Sequence, residues 1–357
     1  MIHTEIAIIG GGPAGMCAAI SAAGQGAQVI LLDREERLGG QLIKQTHRFF
    51  GSEREYAGTR GIDITGILEK EISDSANIDV RNNTTVLAIY DDGVISFEED
   101  GVYKKLSAKS VIIATGASEK MLPFVNNDLP GVYGAGAVQT LMNQYGVIPG
   151  EKVLMVGAGN IGLIVSYQLM QAGVKVAAII DAQTRIGGYL VHAAKVRRLG
   201  VPILTSHTID RAIGQRSVEG AVIYELDQNR CRVPGSEKEL DVDVICLAVG
   251  LSPQVELLRH VNCHIKYVPQ LGGYVPVKDA NLETTTSRIY VAGDAAGVEE
   301  ASSAMIEGSI AGLSAAEALG YTLDTDRLKA QFVGDLNTLR SGVVGEKIRQ
   351  GLKVLES

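Results

Sequence analysis

The chain has 357 residues, 46% of them apolar, and a net charge of −8 from 33 basic and 41 acidic residues. This length and apolar content predict two domains, and an acidic chain without a basic block argues against nucleic acid or an anionic membrane surface as the main partner. No apolar run reaches the ~20 residues of a membrane span and no signal peptide opens the chain, so we expect a cytoplasmic protein.

The first predicted elements form a strand–helix–strand unit. A buried strand at 6–9 leads into a glycine-rich turn and a helix at 16–23, and a second strand at 28–32 ends at Asp33. In such a unit the first glycine permits a tight turn, the second lets a pyrophosphate approach the backbone, and the third lets helix and strand pack closely. The helix N-terminus offers unpaired N–H groups to the phosphates. The turn therefore predicts a dinucleotide site made by Gly10, Gly12, Pro13, Ala14 and Gly15.

The same construction returns in the second half of the chain. A strand at 152–156, a glycine-rich turn, a helix to residue 172 and a strand at 174–180 end at Asp181, 148 residues after Asp33. The segment after each acid also matches, with two adjacent glycines and a leucine in both copies. Because one such turn is weak evidence and two with matching surroundings are strong, the repeat predicts two nucleotide-binding domains in series. The second turn contains Gly157, Gly159, Asn160, Ile161 and Gly162.

Short alternating strands follow each copy and predict β-meander inserts. They are expected at 85–90, 94–98 and 103–107 in the first copy, and at 208–214, 220–225 and near Cys231 in the second. Each run ends in a buried strand and a small-residue turn, at 110–116 and 244–250. The predicted fold class is α/β, with two Rossmann-like domains, three-layer ββα sandwiches and β-meander inserts.

A third turn comes at the end of a predicted strand at 289–292. Gly293 and Asp294 follow this strand and precede a helix at 301–319. A carboxylate at this edge of a parallel sheet suits a sugar-like hydroxyl, and the helix N-terminus suits partial negative charge on a ring. Taken alone, Asp294 could equally be a helix cap.

Taken together, these motifs resemble the flavoproteins with two dinucleotide-binding domains, the thioredoxin-reductase-like and glutathione-reductase-like enzymes, over residues 4–320. The resemblance implies an FAD domain at 1–117 and 272–357 and an NAD(P) domain at 118–271 that includes a linker at 118–150. The FAD-binding residues it implies are Gly10, Gly12, Pro13, Ala14, Gly15, Asp33, Arg34, Gly40, Gln41, Val86, Ala114, Thr115, Gly116, Gly293 and Asp294. The NAD-binding residues it implies are Gly157, Gly159, Asn160, Ile161, Gly162, Asp181 and Gly250.

The cysteines exclude one subclass of these enzymes. Relatives that reduce disulfides carry a dithiol after the first Gly-Gly segment or in the second domain. Here the first of these regions has no cysteine, and residues 118–271 contain only the separate Cys231, Cys246 and Cys263. The four cysteines have no CxxC or metal-ligand spacing, so we expect buried apolar thiols and no metal site. Hydride transfer between two cofactors needs no acid, base or nucleophile, and we predict no catalytic side chain.

A narrower resemblance lies between the domains and in the tail. Residues 130–141, 145–150 and 336–342 are similar to FAD/NAD subunits of amine and amino-acid dehydrogenases and oxidases. These relatives include the sarcosine oxidase alpha chain, opine oxidases, hydrogen cyanide synthase and multimeric proline dehydrogenases. The resemblance implies a hetero-oligomer with a second flavoprotein subunit, while an iron–sulfur small subunit is a further candidate partner. Unlike several of these proteins, the chain has no cysteine-rich segment.

The sequence leaves two other functions open. One is a stand-alone NADH-dependent reductase of a quinone, a ferredoxin or a similar acceptor, and the other is a scaffold subunit whose second nucleotide site is structural. Bleaching of the flavin by NADH separates the enzymes from the scaffold. Among the remaining polar residues, Lys44 and His47 are expected to face solvent or a partner, and His192 to lie on a solvated basic helix face. The C-terminal stretch 324–355 is expected to pack against the FAD domain, with a subunit interface as the alternative.

Overall fold

The computed structural model describes most of the chain. Its described residues are 1–49, 53–343 and 345–356. They form two compact units, which are taken in turn below. Both contain parallel sheets with helices, which confirms the predicted α/β fold class.

The first unit is discontinuous in sequence. It comprises Met1–Ser118 and Leu251–Ser357, and the second unit comprises Glu119–Gly250. The chain thus returns to the first unit at Leu251, whereas the sequence placed this return after residue 271. The reason is that helix Glu256–His260 contributes to a core of the first unit, and strand Ile265–Val268 pairs with the next strand of that unit.

A seven-stranded sheet forms the centre of the first unit. Strand Ile2–Ile9 pairs in parallel with Val29–Leu32 on one side and with Val102–Ile113 on the other. The buried ends of these strands are runs of Ile, Val, Leu and Ala, as is typical of parallel strands covered on both faces. Across the sheet the strands are Ile78–Arg81, Val29–Leu32, Ile2–Ile9, Val102–Ile113, Val94–Glu99 and Thr84–Ile89, and Ile289–Val291 also pairs with Val102–Ile113.

Two long helices pack on one face of this sheet, and the β-meander packs on the other together with helix Glu256–His260. Helices Pro13–Gly24 and Ala301–Glu317 share one core with the sheet, and Phe97 and Leu106 of the meander lie in the other. This is the predicted ββα layering. Further helices of this unit are Gly61–Ser73, Thr325–Leu339 and Glu346–Glu356, and the short 3-10 helices are Leu42–Lys44, Glu53–Glu55, Pro269–Leu271 and Gly293–Ala295. Further short strands are Ala117–Glu119, Leu251–Pro253, Ile265–Val268 and Gly273–Pro276.

The C-terminal stretch packs on the first unit, as predicted. Leu336 is buried in the helical core, and Phe332 and Leu339 of the same helix, Thr325–Leu339, pack against it. The last helix, Glu346–Glu356, packs Ile348 and Leu352 on a small separate core.

The second unit repeats this plan at a smaller size. Its five parallel strands are, in spatial order, Ile203–Thr205, Lys175–Asp181, Lys152–Val156, Val244–Leu247 and Val132–Gly134. The antiparallel strands are His207–Ile213, Gly220–Glu225 and Lys238–Leu240, and the helices are Ala135–Tyr145, Asn160–Gln171 and Leu190–Arg198. The prediction of a strand near Cys231 was wrong, because the Asp227 side chain accepts the N–H groups of Asn229 and Cys231 and closes a turn there.

Candidate functional site

Two glycines of the first glycine-rich turn are packed against backbone, and the third is not. Gly10 has φ +107°, and a Cβ on it would lie 2.3 Å from the carbonyl oxygen of Ala114. A Cβ on Gly15 would lie 1.8 Å from the carbonyl oxygen of Gly10, so neither position accepts a side chain. A Cβ on Gly12, in contrast, would meet nothing nearer than the Cα of Gly40, at 4.0 Å. Gly12 therefore faces space that an approaching pyrophosphate can use.

The helix that follows this turn begins without a capping side chain. Gly12 is its N-cap residue and Pro13 its first residue, where the missing N–H costs no hydrogen bond. The N–H groups of the first turn have no acceptor within the helix, and the positive end of the helix dipole lies here. An anionic group at this N-terminus would satisfy both.

Asp33 closes the turn from the end of the second strand. Its carboxylate accepts the N–H of Gly11 with one oxygen and the N–H of Glu35, at 2.7 Å, with the other. Burial raises the pKa of Asp33, against the opposing effect of these two backbone hydrogen bonds. Each carboxylate oxygen has a second lone pair, so Asp33 can hold the turn and still accept a ribose hydroxyl.

Two predicted residues flank Asp33. Arg34 is exposed and pairs with Glu35 at 3.1 Å. The N–H of Thr84 donates to the carbonyl of Asp33 at 2.8 Å and so places the edge strand Thr84–Ile89 beside it. Val86 lies half-buried on this strand, two residues on. The structure thus brings Val86 and Asp33 to the same end of the first sheet.

The Gly-Gly segment lies directly against the open glycine. Gly40 has φ +51°, and a Cβ on it would lie 2.9 Å from the Cα of Gly12. Gln41 follows, exposed, and begins the short helix Leu42–Lys44. The close approach explains why glycine is needed at position 40 and places Gln41 near the first glycine-rich turn.

The third turn, at Gly293 and Asp294, lies against Ala14 in helix Pro13–Gly24. Gly293 has φ +69°, and a Cβ on it would lie 2.9 Å from the Cβ of Ala14. Asp294 follows, and burial raises its pKa to about 6, with the negative charges of Glu307 and Glu299 adding to this effect. Its Oδ1 accepts the N–H of Glu299 at 3.3 Å. The turn containing Asp294 therefore lies against the first turn of helix Pro13–Gly24.

The small-residue turn after the central strand also lies at this edge. The N–H of Ala114 donates to the carbonyl of Ile9 at 2.8 Å, continuing the parallel pairing. The hydroxyl of Thr115 donates to the carbonyl of Gln254 at 3.1 Å, and the carbonyl of Gly116 accepts the N–H of Gln254 at 3.0 Å. Ala114 and Gly116 hold this turn through their backbone atoms, and Thr115 holds it through its hydroxyl.

Sequence reasoning missed a buried ionic network behind the third turn. Arg340 donates to Glu299 at 2.6 Å and to Glu307 at 2.7 Å, and Lys278 lies 3.5 Å from Glu307. The other oxygen of Glu307 accepts the N–H of Gly293 at 3.0 Å. Although burial acts to raise it, the pKa of Glu307 is lowered by Lys278 and Arg340. The carboxylate of Glu307 thus holds the turn at Gly293 by a hydrogen bond. The only sequence signal for it was one acidic residue within a run of small residues.

The second glycine-rich turn reproduces the steric constraints of the first. Gly157 has φ +115°, and a Cβ on it would lie 2.3 Å from the carbonyl oxygen of Ala248. A Cβ on Gly162 would lie 2.0 Å from the carbonyl oxygen of Gly157, whereas a Cβ on Gly159 would meet nothing within 4 Å. The second unit therefore also presents an open glycine at an uncapped helix N-terminus.

The acid of the second unit makes the same two hydrogen bonds as Asp33. Asp181 accepts the N–H of Ala158 at 2.7 Å and the N–H of Gln183 at 2.8 Å. At the end of the central strand, Gly250 has φ +115° and its carbonyl accepts the N–H of Lys120 at 2.9 Å. Both residues hold backbone at the edge where the fingerprint lies.

The side chains near the second turn differ in part from expectation. Asn160 accepts the N–H of Tyr189 at 2.8 Å and so ties the following loop to the turn, while Ile161 is 40% exposed. The expectation that His192 lies on a solvated face was wrong, since it is only 7% exposed and its ring lies 6.2 Å from that of Tyr189. Burial, with the charge of Lys195, lowers the pKa of His192.

The four cysteines do not form a cluster at either glycine-rich turn. Cys17, Cys246 and Cys263 are buried as predicted, but Cys231 is exposed on its turn. Burial raises the pKa of Cys17 to about 12. Within the described residues, no three His, Cys, Asp or Glu side chains are grouped to hold a metal ion. His47 is half-buried and stacks on Phe49 at 5.9 Å, so it is less solvated than expected.

Comparison with known proteins agrees with this geometry. The family model for pyridine nucleotide-disulphide oxidoreductases matches residues 4–308. One opine oxidase subunit, from Agrobacterium tumefaciens, is 28% identical over 87% of this chain and 65% of its own length. The alpha subunit of sarcosine oxidase from a Corynebacterium species is 27% identical over 90% of this chain and 33% of its own length. The chain thus spans under two thirds of these relatives.

Solved structures share the fold. L-proline dehydrogenase from P. horikoshii superposes with a TM-score of 0.73 at 23% identity, over 93% of this chain and 59% of that one. Thioredoxin reductase from T. acidophilum superposes with a TM-score of 0.74 at 21% identity, over 89% of this chain and 99% of that one. Within the described part of the chain, no helix combines the length and the apolarity that a membrane crossing requires.

Proposed function

Because the chain belongs to the pyridine nucleotide-disulphide oxidoreductase family and is an FAD-dependent oxidoreductase, we propose that its first unit binds FAD, its second binds NAD(H), and hydride passes between the two. The observation that carries this proposal is the repeated turn. Gly12 and Gly159 both leave space where Gly10, Gly15, Gly157 and Gly162 leave none. A purely structural glycine turn has no need of that opening.

The residues of the first unit fit FAD. The open Gly12 and the uncapped helix N-terminus suit the pyrophosphate, and the carboxylate of Asp33 suits the adenosine ribose. Asp294, at the turn packed on Ala14, suits a hydroxyl of the ribityl chain. With its pKa near 6, Asp294 can donate or accept this hydrogen bond around neutral pH.

Bound FAD would supply two-electron chemistry, accepting or giving a hydride at its ring. The chain's own residues position and insulate the cofactors rather than react. Gly40 and Gln41 bring a backbone segment against the pyrophosphate turn, and helix Ala301–Glu317 follows the Asp294 turn with its N-terminus. That helix end favours negative charge by a few tenths to about 2 kcal/mol, depending on burial.

We further propose that the chain is the electron-transfer subunit of a hetero-oligomeric amine or amino-acid dehydrogenase or oxidase. The proteins similar to it include subunits of opine oxidase and of sarcosine oxidase. In this arrangement a second flavoprotein subunit would oxidise the amine and pass electrons to this one.

The division of labour is tested by steady-state assays on the isolated, FAD-loaded chain. We expect NADH-dependent dye reduction, with no turnover of sarcosine, proline or opines until a partner is added. Asp181→Asn serves as a matched variant that should weaken NADH use and leave FAD bound. Substantial amine oxidation by the homogeneous chain would contradict the proposal and place a substrate site within it. NADH activity without any partner in the native preparation would favour the stand-alone reductase.

A further inference from the structure

The side chain of Asp294 is oriented by the chain segment that follows it. Residues 292–300 connect strand Ile289–Val291 to helix Ala301–Glu317, and we call this connection the Asp294 loop. Within it, Oδ1 of Asp294 accepts the N–H of Glu299 at 3.3 Å. The direction of the Asp294 carboxyl group therefore depends on where the backbone of Glu299 is held.

Arg340 holds Glu299 from outside the loop. It follows helix Thr325–Leu339, and its Nε and Nη2 donate to the two carboxylate oxygens of Glu299 at 3.1 and 2.6 Å. Nη2 also donates to Glu307 at 2.7 Å. The side chains of Arg340, Glu299 and Glu307 are 13%, 9% and 4% exposed, so solvent screens these charges little. A carboxylate that receives two donors from one planar guanidinium is fixed in direction as well as in place.

Two further contacts fix the loop on its other side. The second oxygen of Glu307 accepts the N–H of Gly293 at 3.0 Å. Nζ of Lys278 donates to the carbonyl of Ala296 at 3.1 Å and lies 3.5 Å from Glu307. The two carboxylates and two cations of the network balance in charge, which makes their burial tolerable. The Asp294 loop is thus held at Gly293, Ala296 and Glu299.

Arg340 is not needed merely to attach its helix. Lys329 of helix Thr325–Leu339 pairs with Glu317 at 2.8 Å, at the opposite end of helix Ala301–Glu317 from the Asp294 loop. This ion pair joins the same two helices without touching the loop. A buried ion pair adds little net stability compared with apolar packing, so its presence at the loop calls for another role. Arg340 also lies beyond residues 4–308, which match the family model.

We propose that Arg340 is a positioning residue for FAD, which holds the Asp294 loop, through Glu299 and Glu307, in the shape that presents Asp294 to the ribityl chain. A loop that is already ordered binds its ligand more tightly, because binding then costs less conformational entropy. The loss of Arg340 should therefore affect a ligand that reaches Asp294 and spare one that ends at the pyrophosphate. The inference rests on the proposed FAD site of the first unit.

The test compares FAD with ADP, which contains only the adenosine and pyrophosphate part. FAD binding to the full-length apoprotein is followed by quenching of flavin fluorescence. ADP is measured as a competitor of FAD, so that ADP bound in the second unit does not register. We expect Arg340→Met to weaken FAD binding by about tenfold or more, while ADP binding stays within about twofold.

Two further variants separate positioning from stability. Arg340→Lys keeps the charge but loses the fork of donors, so FAD binding should weaken by only about three- to fivefold, a partial rescue relative to Arg340→Met. Lys329→Met is the matched control, because it removes the ion pair between the same two helices away from the loop. It should leave the binding of both ligands within about twofold.

The outcomes also separate this inference from the function on which it rests. If the Arg340 variants weaken FAD and ADP by the same factor, or weaken neither, Arg340 only stabilises the unit and the inference is overturned. The same holds if Lys329→Met weakens FAD as much as Arg340→Met does. If Arg340→Met does not fold, Arg340→Lys decides, and an unchanged ratio of FAD to ADP affinity overturns the inference. If the wild-type apoprotein does not bind FAD, the proposed function itself is contradicted.

Discussion

The two units share one glycine-rich turn but differ in what covers the helix behind it. In the first, a Cβ on Gly308 would lie 2.0 Å from the carbonyl oxygen of Ala14, so helix Ala301–Glu317 lies backbone to backbone on helix Pro13–Gly24. In the second unit, the residue at the position of Ala14 is Ile161, and it is 40% exposed. The turn itself is dictated by sterics in both units, whereas its surroundings are free to differ.

The ion pairs of the two units also differ in burial. Arg340 of the first unit has a side chain that is 13% exposed and joins two buried glutamates. Arg232 of the second unit also joins two acids, Asp210 and Glu237, but its side chain is 40% exposed. Similar pairs should therefore differ in energy, because burial removes the solvent screening that weakens the exposed one.

The largest expected effect comes from breaking these two networks. Arg340→Met should cost about 3 to 5 kcal/mol, because it removes the arginine that pairs with buried Glu299 and leaves Lys278 as the remaining cation beside Glu307. Arg232→Met should cost much less, because water screens the charges of Arg232 and its partners. Urea unfolding of the two variants measures the difference. Equal costs would show that the buried network contributes no more than the surface one.

A smaller effect is expected where the two helices touch. Gly308→Ala should destabilise the first unit by about 1 to 3 kcal/mol and weaken FAD binding, since the added methyl group meets backbone. Gly66→Ala is the matched control, because a Cβ there meets nothing within 4 Å in helix Gly61–Ser73. It should stabilise by up to about 1 kcal/mol. If Gly308→Ala is also neutral or stabilising, the helices are not packed as described.

The pH dependence of the apoprotein should reveal Asp294. The pKa of Asp294 is raised from 3.8 to about 6 in the folded chain, so the folded state binds a proton more tightly than the unfolded state does. This proton stabilises the folded state at low pH, and the stabilisation is lost as pH rises through 6. Asp294→Asn removes this penalty and should stabilise the apoprotein by roughly 2 kcal/mol at pH 7.5, with a smaller gain at pH 5. Thermal unfolding at both pH values is the measurement. A gain that does not change with pH would contradict the assignment.

The two open glycines should change ligand binding with little change in stability. Gly12→Ala should fold and lose FAD, while Gly159→Ala should fold, keep FAD and raise the KM for NADH by about tenfold. Gly162→Ala is the contrasting variant, because its Cβ would lie 2.0 Å from the carbonyl oxygen of Gly157 and should destabilise the unit. Loss of FAD from Gly159→Ala would mean that the units are not independent in the proposed way.

The turns could be predicted from sequence because they depend on local chemistry. A glycine that must have positive φ or touch backbone, such as Gly10 or Gly157, is visible as a letter at a fixed spacing. The network of Glu299, Glu307 and Arg340 was not predictable, because its members join elements far apart in the chain.

Surface placement was the other feature that could not be predicted. His192 is turned inward although its helix carries three basic residues in the last turn, because helix packing rather than composition decides which face is buried. The hydrogen bond from Arg230 to Gln183 likewise had no local signal, since it depends on where the connection between two strands is held. Both depend on tertiary structure, which overrides local pattern.

In the proposed function, one chain holds a flavin in its first unit and reduces it through a nicotinamide nucleotide in its second. Anaerobic stopped-flow mixing of the FAD-loaded chain with NADH tests this directly. We predict saturable bleaching of the flavin, with the Gly159→Ala variant shifted to higher NADH concentration. A flavin that stays oxidised with NADH and with NADPH, yet is reduced by dithionite, would contradict it.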